Sequence, residues 1–98
     1  MFEIELADDG SIAVVGRLDA AQAVKAQTFL DGIEDQCVLD LAKLTYISSA
    51  GLGVLLKTHK RLMPSGSGIK LINVNHHIQD IFRYSGFDKL FEIVPADS

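Results

Sequence analysis

The sequence predicts an α/β fold in which a mostly parallel or mixed sheet is covered by helices. Strand-like apolar runs alternate with amphipathic stretches of helical period along the chain. The later strands are joined by helical crossovers, which favour parallel neighbours. The chain has 98 residues, 48% of them apolar and 22% charged, the length and balance of one small globule. The expected order is β-β-α-β-α-β-α-β over a single domain spanning residues 1–98.

Phe2-Glu3-Ile4-Glu5-Leu6 alternates apolar and polar residues, the mark of a half-buried strand. Asp8-Asp9-Gly10 is a turn signal, and Ser11 to Gly16 reads as the hairpin partner. Asp19 opens a helix over about 20–33. Its carboxylate can accept an early backbone N–H, and Gln22 completes a capping-box pattern. Ala23, Ala26, Leu30 and Ile33 recur at helical spacing. Gln36 to Leu41 is a short apolar run of the kind found in a central strand covered on both faces. After Lys43-Leu44-Thr45-Tyr46-Ile47 and Ser48-Ser49-Ala50-Gly51 comes an amphipathic helix to Met63, ended by the loop Pro64-Ser65-Gly66-Ser67-Gly68. Ile69 to Val74 is a strand and Asn75 to Ser85 a helix with Ile78, Ile81 and Phe82 inward. Gly86 suits a left-handed helix stop, and Leu90 to Val94 is a last strand.

Composition excludes several classes of function. Nine Lys and Arg against thirteen Asp and Glu give a net charge of −4, which disfavours nucleic acid as the main partner. No run approaches the ~18 apolar residues of a membrane span, and no signal-peptide pattern opens the chain. The single Cys37 cannot form an internal disulfide, and three scattered histidines outline no metal framework. The expectation is a small acidic cytoplasmic domain without metal or cofactor.

Ser48 and Ser49 stand where a strand connection enters the second helix. The first turn of a helix presents unpaired N–H groups and partial positive charge, so a phosphate there is stabilised. Gly51 and Gly53 keep that turn bare for a close approach. These residue types suit a phosphoacceptor serine; on physical grounds alone a serine acting simply as helix cap is the plainer reading, because Ser leads N-cap preferences. On a helical wheel Leu52, Leu55, Leu56, Leu62 and Met63 form one stripe with His59 in its middle. Val54, Lys57, Thr58 and Arg61 fall opposite, which aims Val54 at solvent beside two cations and outlines a docking surface.

Other residues read as structural. His59 on the apolar stripe suits a packed histidine. His76 and His77 point in different directions with no ligand pattern around them. Cys37 reads as a small buried hydrophobe. Gly66-Ser67-Gly68 follows a helix where a phosphate-binding loop would precede one. Asp8, Asp9 and Asp19 suit turns and caps. No nucleophile has a visible base, so no catalytic residue is expected and the chain does not read as an enzyme.

The run from Leu39 to Leu55, Leu-Asp-Leu-Ala-Lys-Leu-Thr-Tyr-Ile-Ser-Ser-Ala-Gly-Leu-Gly-Val-Leu, closely resembles the signature of STAS domains of the anti-sigma factor antagonist family. Gly16-Arg17-Leu18-Asp19 resembles the family's Gly-x-Leu-Asp, and Tyr84-Ser85-Gly86-Phe87-Asp88-Lys89-Leu90-Phe91 its closing Ser/Thr-Gly-Leu-x-x-x-Phe. The resemblance implies a mixed four- to five-stranded sheet packed against helices, and a switch in which an anti-sigma factor serine kinase phosphorylates one serine. The unmodified protein then binds the anti-sigma factor, the modified one releases it, and a protein serine phosphatase resets the system. By motif position the acceptor is Ser49. Ser48 stands where many relatives carry Asp and is the second candidate. The implied partner surface is Ser48, Ser49, Ala50, Gly51, Leu52, Gly53, Val54, Lys57 and Arg61 on a monomer. The C-terminal helix of many relatives is expected to be short or absent. The alternative is a STAS scaffold subunit of a transporter or stressosome-like assembly without a phosphoserine switch.

Overall fold

In the computed structural model, which describes residues 1–66 and 68–96, an N-terminal hairpin leads into a run of parallel strands. Strand β1 (Phe2–Leu6) pairs antiparallel with β2 (Ile12–Leu18), Ile4 opposite Val14. The predicted turn joins them. Asp9 Oδ1 accepts from both the N–H and the hydroxyl of Ser11, at 2.9 and 2.6 Å, and the Ser11 hydroxyl holds the Asp9 carboxyl below its ordinary pKa.

Strand β2 runs two residues beyond its expected end, its pairing with a neighbouring strand carrying on, after a shift of register, past Gly16. Its φ of +92° suits glycine, and a Cβ there would collide with the Met1 carbonyl. The first helix also differs at its start. Asp19 caps as predicted, accepting from Gln22 N–H at 3.2 Å, but Ala20–Gln22 form a 3-10 turn before α1 (Ala23–Asp31). Ala26 and Leu30 are buried, with Ala23 and Ile33 packed against the core.

The predicted central strand is β3 (Cys37–Asp40), covered on one face and not on both, since Cys37 and Leu39 are buried but Val38 and Asp40 only half-buried; a strand absent from the expected order follows it, β4 (Leu44–Ile47). Asp40 Oδ1 accepts from Ala42 N–H at 3.0 Å and Leu44 N–H bonds to the Leu41 carbonyl at 3.1 Å, so a tight turn breaks the run in two. β3 pairs with the first half of β2 and β4 with the second half, from Gly16 opposite Leu44 to Leu18 opposite Ile47, with Thr45 the extra residue in the register. The chain continues through α2 (Ser49–Leu62), a 3-10 turn at Met63–Ser65, β5 (Ile69–Val74), α3 (His76–Ser85) and β6 (Glu92–Pro95). The last strand starts two residues later than expected, since Phe87–Lys89 form a 3-10 turn after the left-handed Gly86. Of the predicted loop Pro64 to Gly68, Ser67 lies outside the described residues.

Among the described residues there are thus six strands and three α-helices, in the order β1-β2-β3-β5-β6 with β4 also on β2. The fold class stands as predicted, with one strand more. The parallel strands advance in one direction, so right-handed crossovers bring all three helices to one face. On that face Ile12, Val14, Leu39 and Leu71 pack with Leu30, Leu55, Ile78 and Phe82 in one core. No helix of the described residues is long and apolar enough to cross a membrane.

Candidate functional site

Each half of the Ser48-Ser49 pair has a separate place. Ser48 leaves β4 with extended backbone, its N–H donating to the Leu18 carbonyl at 2.9 Å. It is the N-cap of α2: its Oγ accepts from Gly51 N–H at 3.2 Å and its carbonyl from Leu52 N–H at 2.9 Å. Ser49 is the first residue inside the helix and is exposed. The capping role suggested by the sequence therefore falls to Ser48, leaving the Ser49 hydroxyl at the surface near the positive end of the helix. On the strands entering this corner, the Arg17 guanidinium stacks over the Tyr46 ring, 4.4 Å from its centroid.

The glycines after the serines differ in purpose. A Cβ on Gly51 would stand 2.8 Å from side-chain carbons of both Leu18 and Ile47. Gly51 therefore lets the helix start close to the sheet, and it is buried. A Cβ on Gly53 would meet nothing within 4 Å. The bare surface expected of both belongs to Gly53 alone.

The wheel reading of α2 needs correction on one flank. Val54, expected to face solvent, is 6% exposed, and Thr58 is fully buried. Two neighbours cover this helix. Leu52, Leu55, His59 and Leu62 face the core, while Val54 and Thr58 lie on the α1 side, where Gln27 Nε2 is 3.5 Å from Thr58 Oγ1. The buried arc is wider than one stripe for that reason. Met63, assigned to the stripe, is instead 55% exposed because α2 has given way to the 3-10 turn. Of the expected partner surface, Gly51, Leu52 and Val54 are buried, Ser48 and Gly53 are half-buried, and Ser49, Ala50, Lys57 and Arg61 are exposed.

Arg61 has an internal task as well. Its Nη2 donates to the carbonyls of Leu30 and Ile33, both at 2.8 Å, and so ties the end of α1 to α2. Lys60, passed over in the sequence, takes its place on the exposed stripe. Positions 49, 53, 57 and 60 follow at four, four and three residues, spacing that puts them on one side of a helix. Across from them Ala23, Val24 and Gln27 of α1 form the other bank of a trough of about 300 Å³ that also reaches Ala50 and Gly53. His59 is a packed residue, as its place on the stripe suggested: its Nδ1 accepts from Ile69 N–H at 2.9 Å and its ring meets Phe91 edge-on at 4.8 Å.

Comparison with known proteins places this arrangement. A family model described as Mlab, STAS domain, matches residues 3–95. The chain is 30% identical over 90 residues to the anti-sigma-B factor antagonist of Listeria monocytogenes, covering 88% of this chain and 79% of that protein. It is 39% identical over 64 residues to BtrV of Bordetella bronchiseptica, covering 65% of this chain and 55% of BtrV. Among solved structures, an anti-sigma factor antagonist from Mycobacterium paratuberculosis superposes with a TM-score of 0.78 at 22% identity, over 97% of this chain and 85% of that one. Bacillus SpoIIAA in its phosphorylated form superposes with a TM-score of 0.66 at 17% identity, over 96% and 91%. At those identities the two structures establish the shared fold. The chain belongs to the STAS domain family and stands among its anti-sigma factor antagonists.

Proposed function

We propose that this protein is a partner-switching regulator controlled by phosphorylation of Ser49. The unmodified form binds an anti-sigma factor serine kinase, the phosphorylated form releases it, and a protein serine phosphatase restores binding. The observation that carries this reading is the exposed position of Ser49 directly after its capping neighbour, at the head of α2 in a chain of this family. That SpoIIAA has been solved in a phosphorylated form supports it.

The physics of the corner suits such a switch. A phosphoserine carries about −1.5 to −2 charges at neutral pH. On the free protein the start of α2 tolerates that charge, because its unpaired N–H groups and dipole point outward there. Buried beneath a partner, the same charge loses its water and costs several kcal/mol, on the order of a thousandfold in affinity. The modification thus acts on association and leaves folding nearly untouched. Contact falls to the exposed Ser49, Ala50 and Lys57 and the half-buried Gly53, while Gly51, Leu52 and Val54 shape the helix from beneath.

The test is to tag the full chain in its native cells and compare what wild type and Ser49→Asp retain, with melting temperatures measured on the same preparations. A kinase-like partner held by wild type and lost from Ser49→Asp, at equal melting temperature, supports the switch. Equal retention contradicts it. The fold match to a sulfate transporter family protein of Wolinella succinogenes, TM-score 0.72 at 17% identity over 84% of this chain and 72% of that one, favours one second reading, a scaffold subunit without a serine switch. Retention of a transporter by both forms would support that reading instead.

A further inference from the structure

We propose that the exposed side of α2 between Ser49 and Lys60 receives an acidic segment of the partner, with one of that segment's apolar side chains seated against Gly53. The inference rests on the switching reading and adds the chemistry that the partner must present. Two independent features of the surface point to it.

The first is Gly53 itself. Glycine in an exposed helix interior weakens the helix relative to alanine. Gly51 is explained by Leu18 and Ile47, but a Cβ on Gly53 would meet nothing, so packing within the chain does not require a glycine there. Its absence of a side chain deepens the trough between α1 and α2, whose far bank carries Val24, 75% exposed on α1. A notch with an exposed valine beside it fits an incoming apolar side chain.

The second is charge. The chain carries a net charge of −4, yet α2 holds Lys57, Lys60 and Arg61 and no acidic residue. Among the described residues the ion pairs are Lys70–Glu92 and Arg83–Asp80; Lys57 and Lys60 form none, and the carboxylate that shares their hollow, Asp31 of α1, is outnumbered there by Lys57, Lys60 and Arg61. Both lie about two to three turns along the helix from Ser49, within about 16 Å. A partner segment lying along this side places its carboxylates beside these ammonium groups while its apolar residue enters the notch. Phosphate on Ser49 adds negative charge at the head of the same stripe and repels that acidic segment, which gives release a direct electrostatic cause.

The test uses the unphosphorylated full chain and synthetic helical peptides of about four turns, with leucines one turn apart flanked by glutamates. Nuclear magnetic resonance titration of the isotope-labelled chain is expected to shift the amides of Val24, Ala50, Gly53, Lys57 and Lys60. Gly53→Ala is expected to weaken binding about tenfold with the fold intact, and Lys57→Glu with Lys60→Glu by more than about tenfold. Replacing the peptide's glutamates by lysine, or its leucines by serine, should abolish binding. Equal binding of the lysine peptide, unchanged affinity in Gly53→Ala, no shifts, or shifts confined to the sheet around Val15 and Val38 would overturn the proposal. No kinase or phosphate enters this experiment, so its failure leaves the Ser49 switch standing, and the failure of the two readings is told apart.

Discussion

The hydroxyl of Ser48 accepts the amide proton of Gly51 at 3.2 Å, while Ser49, the next residue, stands exposed inside the first turn of α2. Adjacent serines of the same chemistry thus differ in what the fold asks of them. Removing the cap should cost stability and removing the exposed hydroxyl should not. Ser48→Ala is expected to lower stability by about 1 kcal/mol, and Ser49→Ala to stay within about 0.5 kcal/mol of wild type. Urea denaturation of both variants measures the difference, and equal losses would mean that the cap is misassigned.

Gly51 and Gly53 should respond in opposite directions to the same added methyl group. At position 51 the Cβ meets Leu18 and Ile47 at 2.8 Å, too close for carbon atoms, so the helix must move away from the sheet. Gly51→Ala is expected to cost about 1–3 kcal/mol through this overpacking. Gly53→Ala finds open space and gains helix propensity, so it should stabilise by about 0.5–1 kcal/mol. Thermal and denaturant unfolding of the pair decide the point.

The Arg61 clamp joins two helices through the carbonyls of Leu30 and Ile33, both 2.8 Å from Nη2. Arg61→Ala leaves those carbonyls to solvent and loosens the end of α1. The expected loss is about 1–2 kcal/mol, because the bonds are charge-assisted but lie near the surface. Hydrogen exchange should show faster opening at the C-terminal turn of α1 in this variant. Unchanged exchange at Leu30 and Asp31 would assign the arginine to the surface alone.

Cys37 supplies a pH dependence. Burial pushes its thiol from an ordinary 9.0 up to about 11, with the Arg61 guanidinium opposing the rise. In the folded protein the thiol keeps its proton after the unfolded chain has begun to lose it. Stability contributed by the neutral thiol is therefore full below pH 9 and lost as pH rises towards 11, by about 2–3 kcal/mol across the window. Lysines and tyrosines titrate in the same range, so the informative comparison is with Cys37→Ala. That variant should lose less stability than wild type between pH 8.5 and 10.5, roughly the window set by the shift. An identical slope would remove Cys37 from the cause.

Much of this molecule was legible from local chemistry. The Asp9 turn, the Asp19 cap, the buried period of Ala26 and Leu30, and the left-handed Gly86 are each determined by a few neighbouring residues, and each stands as the sequence implied. What escaped depends on partners distant in sequence. Leu44–Ile47 is no shorter than β3, but nothing local separates it from the connection into α2; it becomes a strand because β2 continues past Gly16 and offers it a partner. Val54 looked exposed on a wheel drawn for one packing face; α1 supplies a second. Likewise, nothing in the local sequence distinguishes Gly51 from Gly53 until Leu18 and Ile47 are placed beside the first. At the candidate site the serines and their cap were readable, whereas the α1 bank of the trough required the helix pairing.

The central claim is that Ser49 carries a reversible phosphate that governs association. The most direct measurement is to recover the chain from its native cells under several growth conditions and locate phosphate by mass spectrometry, identifying in the same samples the proteins that accompany each form. The account predicts phosphate on Ser49 at a level that changes with condition, with a kinase-like protein accompanying only the unmodified chain. Phosphate absent from Ser49 under every condition, or the same partner bound equally to both forms, would contradict it.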